Sequence, residues 1–397
     1  MAQAPIVILG TGLAGYNTAR ELRRLEAGKD LALTLVTRDD GHFYSKPDLS
    51  VALARGRTPD ELPLASAEEM AAQLGATVLT HAPVARIERA ARRVVLEDGR
   101  TLAYGRLVLA VGAEPVRPPL AGAAAGEVLS VNDLDDYRRF RERLDGHERV
   151  AILGAGLIGC EFANDLAATG HRVTVADPAP WPLARFLPEA AGRRLERELA
   201  ALGVTWRFGV TAERVDRVDG ALALRLSDGS TVAADVALSA VGLRPRTALA
   251  AEAGLATGRG ILVDRLLRTS DPDIHALGDC AEVLPEGAPG EPGREGLVLP
   301  FVMPLVQGAR ALARTLAGEP TPVRYPAMPV AVKTPAHPVV VAPPAPGAEG
   351  AWEVAEDEGG VRALFRAPDG RLLGFALTGA HVKERPALAR ELPPLLP

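Results

Sequence analysis

Cysteine is nearly absent from the sequence: only Cys160 and Cys280 occur among 397 residues. Two cysteines that far apart suggest neither a disulfide framework nor a zinc site, and no Cys-x-x-Cys pair is present. The seven histidines show no metal-ligand spacing either. We therefore expect no metal site, and we expect both cysteines to be small buried fillers.

Long apolar runs and basic stripes are also missing. No stretch reaches the ~18 apolar residues of a membrane span, and no cationic segment precedes the first apolar run. The formal net charge of −5 is spread along the chain, which does not suit a nucleic-acid surface. We expect a cytoplasmic protein with neither a nucleic-acid nor a membrane partner, and the length predicts two or three domains.

Lysine is scarce as well, because arginine supplies all but four of the 45 cationic residues. A lysine that persists in such a sequence is a candidate for a role that a broad guanidinium cannot fill. Lys46 and Lys333 are the two candidates, with chance survival at the surface as the alternative. For Lys29, in an expected exposed turn, chance survival is the preferred interpretation.

Two glycine fingerprints of the form Gly-x-Gly-x-x-Gly are present, 144 positions apart, at residues 10–15 and 154–159. Each follows a short apolar run and opens a stretch with helical character. In this strand–turn–helix context the backbone N–H groups at the helix start can hold a pyrophosphate. One fingerprint alone is weak evidence, but two in the required context predict two bound dinucleotides.

A second repeat, with an offset of 130 residues, accompanies the glycines. An Asp-Gly turn at 98–99 and a buried run that ends in Gly112 are echoed at 228–229 and Gly242. An Asp-Gly pair between apolar alternations predicts a β-hairpin, so each unit should carry the same meander and return strand. An internal duplication explains the pattern. The predicted class is α/β with two Rossmann-like dinucleotide-binding domains.

With these motifs and the run at 269–279 (TSDPDIHALGD), the sequence resembles pyridine-nucleotide-dependent flavoprotein reductases over nearly its whole length. The segments 43–50, 157–166, 242–245 and 332–335 are most similar to those of rubredoxin–NAD(+) reductases. Reductases that serve a flavorubredoxin in nitric oxide detoxification are the nearest alternative. The resemblance implies FAD at the first fingerprint and NADH at the second.

The resemblance also implies the order of the domains. The FAD-binding domain is discontinuous, at 1–113 and 245–320, and the NAD-binding domain, at 114–244, is inserted into it. Residues 321–397 form a small α+β C-terminal domain. The Gly-, Pro- and Glu-rich stretch 285–300 is expected to be a surface loop.

Site residues are carried over from the same resemblance. The residues expected at the two cofactors are Gly10, Thr11, Gly12, Leu13, Ala14, Gly15, Thr37, Asp39, Lys46, Pro47, Val84, Ala110, Gly112, Gly154, Gly156, Leu157, Ile158, Gly159, Glu161, Asp177, Gly242, Gly278, Asp279, Val302 and Lys333.

The choice of nucleotide depends on the end of the second strand in each unit. Asp177 lies 18 residues past Gly159, where a carboxylate accepts ribose hydroxyls of NADH and repels a 2′-phosphate. Arg185 lies close enough in sequence to weaken this preference, and a loop acid without a ligand is the alternative. In the first unit Thr37 occupies the strand end and Asp39 follows, so the residue that binds the FAD ribose stays open.

Lys46 and Glu161 are the expected catalytic residues. By resemblance we predict a Lys46–Glu161 ion pair beside the flavin, with Glu161 on the first turn of its helix. The alternative for Glu161 is an interaction with the helix dipole alone. Because the usual redox cysteine pair is missing, we expect electrons to leave the flavin directly, with a hydride entering and single electrons leaving.

The implied acceptor is rubredoxin, a small acidic iron–sulfur protein. We expect a basic docking surface and suggest Arg55, Arg57, Arg244 and Arg246 for it. Other interpretations are a ferredoxin reductase of the same architecture, an NADH oxidase or peroxidase, and a non-catalytic protein that responds to NADH and FAD. The oxidase is disfavoured because no cysteine occurs near residues 42–46. The oligomeric state is left open.

Overall fold

The computed structural model describes residues 5–291 and 295–397. Residues 292–294 of the expected surface loop 285–300 lie outside the described residues. Two parallel sheets, each followed by a meander, and one antiparallel sheet form the frame of the protein. The expected α/β class with a small α+β C-terminal part is confirmed.

The first parallel sheet has five strands, and most side chains of the four strands other than the edge strand Thr77–Leu79 are buried, as expected when helices cover both faces. Its outermost strand comes from chain that follows the second sheet, so the first unit is discontinuous in sequence. The strands, in spatial order, are Ile274–Ala276, Arg106–Leu109, Ile6–Leu9, Leu33–Val36 and Thr77–Leu79. The accompanying helices are Leu13–Arg24, Ala67–Leu74 and Val302–Leu316.

The second parallel sheet repeats this plan with four strands. They are, in spatial order, Val204–Phe208, Arg172–Asp177, Arg149–Leu153 and Val236–Ser239. The helices of this unit are Leu134–Leu144, Leu157–Ala168 and Glu189–Ala201. The short strands Ala113–Pro115 and Leu243–Pro245 pair antiparallel where the chain enters and leaves the unit.

The two meanders are equivalent, as the repeated pattern in the sequence predicts. In the first, Asp98 accepts the N–H of Arg100; in the second, Asp228 accepts the N–H of Ser230. The glycine after each aspartate is left-handed, with φ of +86° and +84°. The strands are Val84–Glu88, Arg93–Leu96 and Thr101–Ala103, and then Ala212–Val218, Ala221–Leu226 and Thr231–Ala234.

The third sheet is antiparallel and belongs to the C-terminal part of the chain. It packs on helix Glu189–Ala201, where Arg194 donates to the carbonyl oxygens of Asp357 and Glu358, each at 2.9 Å. Its strands, in spatial order, are Val330–Val332, Val339–Ala342, Leu372–Thr378, Gly360–Arg366 and Ala351–Asp357. A 3-10 turn, Gly379–Glu384, and helix Arg385–Glu391 follow.

Shorter elements complete the described chain. The segment Lys46–Val51 is a 3-10 helix, and Gly278–Cys280 is a 3-10 turn that follows strand Ile274–Ala276 at the carboxyl edge of the first sheet. The remaining elements are Glu26–Gly28, Phe43–Tyr44, Pro59–Glu61, Pro63–Ala65, Ala125–Glu127, Ala248–Glu252, Ile261–Val263 and Ala281–Val283. Within residues 5–291 and 295–397, no helix combines the length and apolar character that crossing a bilayer requires.

Candidate functional site

A continuous cavity of about 1610 Å³ lies at the carboxyl ends of both parallel sheets and reaches the C-terminal sheet. Residues that directly follow strands of the first sheet (Thr37, Ala110) and of the second (Gly154, Ala240) line it. Pockets for a single small ligand usually measure ~300–1,000 Å³. This cavity is therefore large enough for more than one such ligand.

The first fingerprint shapes one wall of the cavity. Gly10 has φ +113°, and a Cβ there would stand 2.3 Å from the carbonyl oxygen of Ala110. Gly12 has open space, because no atom lies within 4 Å of an added Cβ. A Cβ on Gly15 would stand 1.9 Å from the Gly10 carbonyl oxygen, so helix and strand can touch there only through glycine.

The second fingerprint repeats these three roles. Gly154 has φ +106°, and its Cβ would stand 2.6 Å from the carbonyl oxygen of Ala240. Gly156 again has open space, and a Cβ on Gly159 would stand 1.9 Å from the Gly154 carbonyl oxygen. Two equivalent turns, each open at its middle glycine, therefore face the same cavity.

Each turn leads into a helix that starts uncapped. Helices Leu13–Arg24 and Leu157–Ala168 begin after Gly12 and Gly156, with no side-chain cap and no acid in the first turn. The first N–H groups of a helix have no partner within it and carry its positive dipole end. Without a cap or a carboxylate to occupy them, both helix starts fit an anionic pyrophosphate.

Most of the residues predicted at the cofactors line this cavity. Three do not, because they serve in packing: Gly15 and Gly159 lie against backbone, and Gly278 lies 3.0 Å, measured from an added Cβ, from the Cβ of Ala14. Those in the wall are Gly10, Thr11, Gly12, Leu13, Ala14, Thr37, Asp39, Lys46, Pro47, Val84, Ala110, Gly112, Gly154, Gly156, Leu157, Ile158, Glu161, Asp177, Gly242, Asp279, Val302 and Lys333.

Asp177 is the last residue of strand Arg172–Asp177 and lies beside the second fingerprint. Its Oδ2 accepts the N–H of Ala155 at 2.6 Å, and its Oδ1 accepts the N–H of Ala179 at 2.7 Å. The carboxylate is thereby fixed at the cavity wall, which Arg185 also lines.

Thr37 and Asp39 form one hydrogen-bonded unit at the first fingerprint. The Thr37 hydroxyl donates to Asp39 Oδ1 at 2.6 Å, and the N–H of Gly41 donates to the same oxygen at 3.1 Å. Both residues line the cavity. Asp39, which lies two residues past Thr37, is thus hydrogen-bonded to the residue at the strand end.

Glu161 is paired with a different lysine from the one predicted. Its side chain is buried; Oε2 accepts Lys333 Nζ and the Ser50 hydroxyl, each at 2.6 Å, and Oε1 accepts the backbone N–H of Lys333 at 3.0 Å. The predicted Lys46–Glu161 ion pair is wrong. Glu161 is the fifth residue of its helix, past the first turn, and strand Val330–Val332 carries Lys333 directly to it.

Lys46 lies half-buried in the cavity wall. Burial lowers the pKa of its ammonium, and the nearby Asp279 carboxylate opposes that shift. Arg246 adds to the lowering, while Asp133 acts in the same direction as Asp279. Lys46 therefore shares the cavity wall with charges of both signs.

Two further polar residues of helix Leu157–Ala168 were missed from sequence. Asn164 Oδ1 accepts the N–H of Ala336 at 3.1 Å, and the carboxylate of Asp165 accepts two backbone N–H groups of the segment after Val51. Both side chains are buried, and burial raises the pKa of Asp165 to about 6. Glu161, Asn164 and Asp165 follow i, i+3, i+4 spacing in an apolar helix, which is the signal that could have revealed them.

The arginines suggested for docking are engaged within the protein. Arg244 Nε lies 2.6 Å from Glu114 Oε1, and Arg55 lies 3.4 Å from Asp48. Arg57 donates to the carbonyl of Glu61, and Arg246 lines the cavity, where burial lowers its pKa. Arg244 and Arg55 stay largely exposed despite these contacts, so docking at the four arginines remains a prediction.

A different group of cations is unpaired. Lys383, Arg385 and Arg390, here called the C-terminal cationic patch, make no ion pair with any residue that the structure describes. Arg385 lines the cavity, as do Val302 and Met303, whose side chains are exposed.

Both cysteines are buried and unpaired, as expected. Burial raises the pKa of the Cys160 thiol, and it raises that of Cys280 to about 11. Each Sγ contacts a carbonyl oxygen at 3.3 Å, that of Ala155 or of Leu109. Neither thiol is therefore suited to redox exchange. No cluster of three or more His, Cys, Asp or Glu among residues 5–291 and 295–397 could hold a metal ion.

Comparison with known proteins agrees with this architecture. The pyridine nucleotide-disulphide oxidoreductase family matches residues 4–309, and a rubredoxin binding C-terminal domain matches residues 322–392. The chain therefore belongs to the pyridine nucleotide-disulphide oxidoreductases. Within that family it belongs with the rubredoxin-NAD(+) reductases.

Individual relatives cover almost the whole chain. A rubredoxin-NAD(+) reductase of Alcanivorax borkumensis is 53% identical over 394 residues, which are 99% of this chain and 100% of that protein. A nitric oxide reductase FlRd-NAD(+) reductase of Aeromonas salmonicida is 40% identical, covering 98% and 96%. Among solved structures, a covalent putidaredoxin reductase–putidaredoxin complex has a TM-score of 0.87 at 27% identity, covering 99% and 94%.

Proposed function

We propose that this chain is an FAD-dependent oxidoreductase that passes electrons from NADH to the small iron protein rubredoxin. FAD is held by the unit of the first fingerprint and NADH by the unit of the second. The domain limits given above remain part of the proposal: 1–113 with 245–320 for FAD, 114–244 for NADH and 321–397 for the C-terminal domain. The cytoplasmic location stays a prediction.

The proposal rests on a repeated cradle, by which we mean a glycine fingerprint turn together with the uncapped helix start that follows it. Two uncapped helix starts follow glycines with open space, and both face one cavity of about 1610 Å³. A pyrophosphate satisfies such N–H groups, so the second cradle supports a second bound dinucleotide. Two dinucleotides in one cavity suit electron transfer between them.

The bound groups supply the redox chemistry, and the chain supplies position and charge. When bound, FAD supplies the conversion of a hydride from NADH into single electrons. Lys46 and Glu161 stay the proposed catalytic residues, with Lys333 now the partner of Glu161. The Glu161 carboxylate holds the Ser50 hydroxyl of the first unit and Lys333 of the C-terminal part at the seam where the units meet.

Asp177 supports NADH over NADPH as the electron donor. Two backbone N–H groups fix its carboxylate at the cavity wall, and each oxygen keeps a lone pair for a ribose hydroxyl. The same charge repels a 2′-phosphate. Because Arg185 lines the same cavity, we expect the discrimination to be one of degree.

Electron exit is proposed to be direct. Neither cysteine lines the cavity, so no thiol can relay electrons from it. The match of residues 322–392 to a rubredoxin binding domain supports rubredoxin as the acceptor. A flavorubredoxin is the second candidate acceptor, supported by the 40% identical relative.

The C-terminal cationic patch is the proposed docking surface for this acidic carrier. Its three cations make no ion pair with any described residue, and one of them, Arg385, lines the cavity together with the exposed Val302 and Met303. Complementary charge steers a small acidic protein to such a surface, and apolar side chains provide the contact.

The assignment of the two cradles can be tested with a matched pair of variants, Gly12→Val and Gly156→Val. No atom lies within 4 Å of an added Cβ at either glycine, so neither substitution clashes at Cβ, and each adds bulk to the cavity wall. We expect Gly12→Val to be purified folded but without FAD. We expect Gly156→Val to keep FAD and to bind NADH far more weakly. Retention of both ligands by both variants would contradict the proposal.

A further inference from the structure

Asp165 is a buried carboxylate that lies outside the cavity and has no role in the function proposed so far. It is the ninth residue of helix Leu157–Ala168 and is 2% exposed. Its Oδ2 accepts the N–H of Leu53 at 3.1 Å, and its Oδ1 accepts the N–H of Ala54 at 3.0 Å. No described cation lies within 4.0 Å of it, so these two hydrogen bonds are its direct partners.

Burying a carboxylate outside an ion pair is destabilising, because its charge leaves water. The charges of Arg141 and Arg55 favour the ionised form of Asp165 but do not outweigh its burial. The raised pKa of this group, about 6, reflects that cost. An apolar side chain would pack the helix more cheaply. The structural role of the carboxylate is therefore to hold the two backbone N–H groups that it binds.

Those N–H groups follow the 3-10 helix Lys46–Val51 directly. This short helix carries Lys46 and Pro47 into the cavity wall, and its Ser50 hydroxyl binds Glu161. Glu161 and Asp165 are four residues apart on one helix and therefore lie on the same face. Together they fasten the segment from Lys46 to Ala54 along that face at two successive points.

The helix that holds the segment starts at the second cradle, after Gly156. Its first turn faces the site proposed for NADH, while Glu161 and Asp165, further along the helix, bind the segment that carries Lys46. A rigid helix thus connects the nucleotide site with the segment at the flavin site.

We propose that Asp165 is a positioning residue for electron transfer from NADH to FAD: it sets the segment Lys46–Ala54 in register with the helix of the nucleotide cradle. The inference rests on the function proposed above. Asp165 does not line the cavity, and its effect passes through Lys46.

The test compares Asp165→Leu with Leu166→Ala in the FAD-loaded protein. Leu166 is the next residue of the helix and is fully buried in the core, so truncation there weakens packing but leaves both hydrogen bonds of Asp165 in place. Rates of FAD reduction are measured by stopped flow at saturating NADH, together with the Kd for NADH, the FAD content and the visible absorption and circular dichroism of the flavin.

We expect Asp165→Leu to slow FAD reduction by about tenfold, the loss of roughly one to two net hydrogen bonds. Its Kd for NADH and its FAD content should stay within about twofold of the unsubstituted protein, and the flavin spectrum should shift. Leu166→Ala should lower the thermal midpoint and leave the reduction rate within about twofold. Asp165→Asn, which keeps one acceptor oxygen, should fall between Asp165→Leu and the unsubstituted protein.

Two results would overturn the inference. One is an unchanged reduction rate in Asp165→Leu, and the other is equal slowing by Asp165→Leu and Leu166→Ala, which would indicate general loosening. If the unsubstituted protein is not reduced by NADH at all, the proposed function fails instead, so the two failures are distinguishable.

Discussion

The Glu161–Lys333 ion pair predicts an asymmetric response to mutation. The Glu161 side chain is 4% exposed and that of Lys333 is 28% exposed, with 2.6 Å between Oε2 and Nζ. Replacing Lys333 by Met leaves a deeply buried carboxylate with only the Ser50 hydroxyl and a backbone N–H as partners. Replacing Glu161 by Gln leaves an ammonium that water can reach. The first change should therefore cost more.

The magnitudes follow from the burial of each partner. Removing one side of a buried pair costs about 3–5 kcal/mol, which we assign to Lys333→Met. Losing a hydrogen bond to a charged group costs about 1.5–3 kcal/mol, which we assign to Glu161→Gln. At about 2 °C per kcal/mol, the midpoints should fall by roughly 6–10 °C and 3–6 °C. The double variant carries neither charge and should be more stable than Lys333→Met alone.

The assay follows the release of FAD fluorescence on heating, with the same preparation and pH for all four proteins. Because the two buried charges interact, the effects of the two substitutions should not add. The double variant should therefore regain part of the thermal stability that Lys333→Met loses. Additive losses, or a milder effect of Lys333→Met than of Glu161→Gln, would refute the reasoning.

Three further predictions concern pH, nucleotide choice and docking. The pKa of Asp165 is raised to about 6 in the folded protein, so the stability that its protonation contributes is present below about pH 4 and lost as the pH rises through about 6. The loss of stability amounts to about 3 kcal/mol. Asp165→Asn should remove this loss from the pH dependence of urea unfolding. Asp177→Ala should lower the ratio of kcat/KM for NADH over NADPH by about tenfold or more, measured with a small artificial acceptor, while an unchanged ratio would remove Asp177 from nucleotide choice. Arg385→Glu should lower kcat/KM for rubredoxin and flatten the salt dependence of that value, without changing FAD reduction by NADH. The control is Arg225→Glu, because Arg225 is exposed, lies away from the cavity and makes no ion pair with any described residue. Equal effects of the two substitutions would argue against the patch.

The sequence was sufficient for the fold and for the two cradles because their determinants are local. The roles of Gly10, Gly12 and Gly15 depend on a strand, a turn and a helix adjacent in sequence, and the same spacing recurs at Gly154. The duplicated Asp-Gly turns are equally local. The family resemblance supplied the order of domains, which no local pattern contains.

Partner choice across units could not be predicted in the same way. Lys46 and Lys333 were both candidates, and which of them meets Glu161 depends on how the C-terminal sheet lies against helix Leu157–Ala168. The contact between Arg244 and Glu114 was equally unpredictable, since it depends on the pairing of two short strands. Such contacts join residues more than a hundred positions apart, and charge type alone does not select among them.

The most direct test of the central claim is a stopped-flow experiment on the purified protein. The flavin absorption band is followed after mixing with NADH or NADPH, and rubredoxin, ferredoxin or oxygen is then added to the reduced protein. The account predicts fast bleaching by NADH, slower bleaching by NADPH and rapid recovery of the band only with rubredoxin. Recovery with oxygen alone, or no bleaching by NADH, would contradict it.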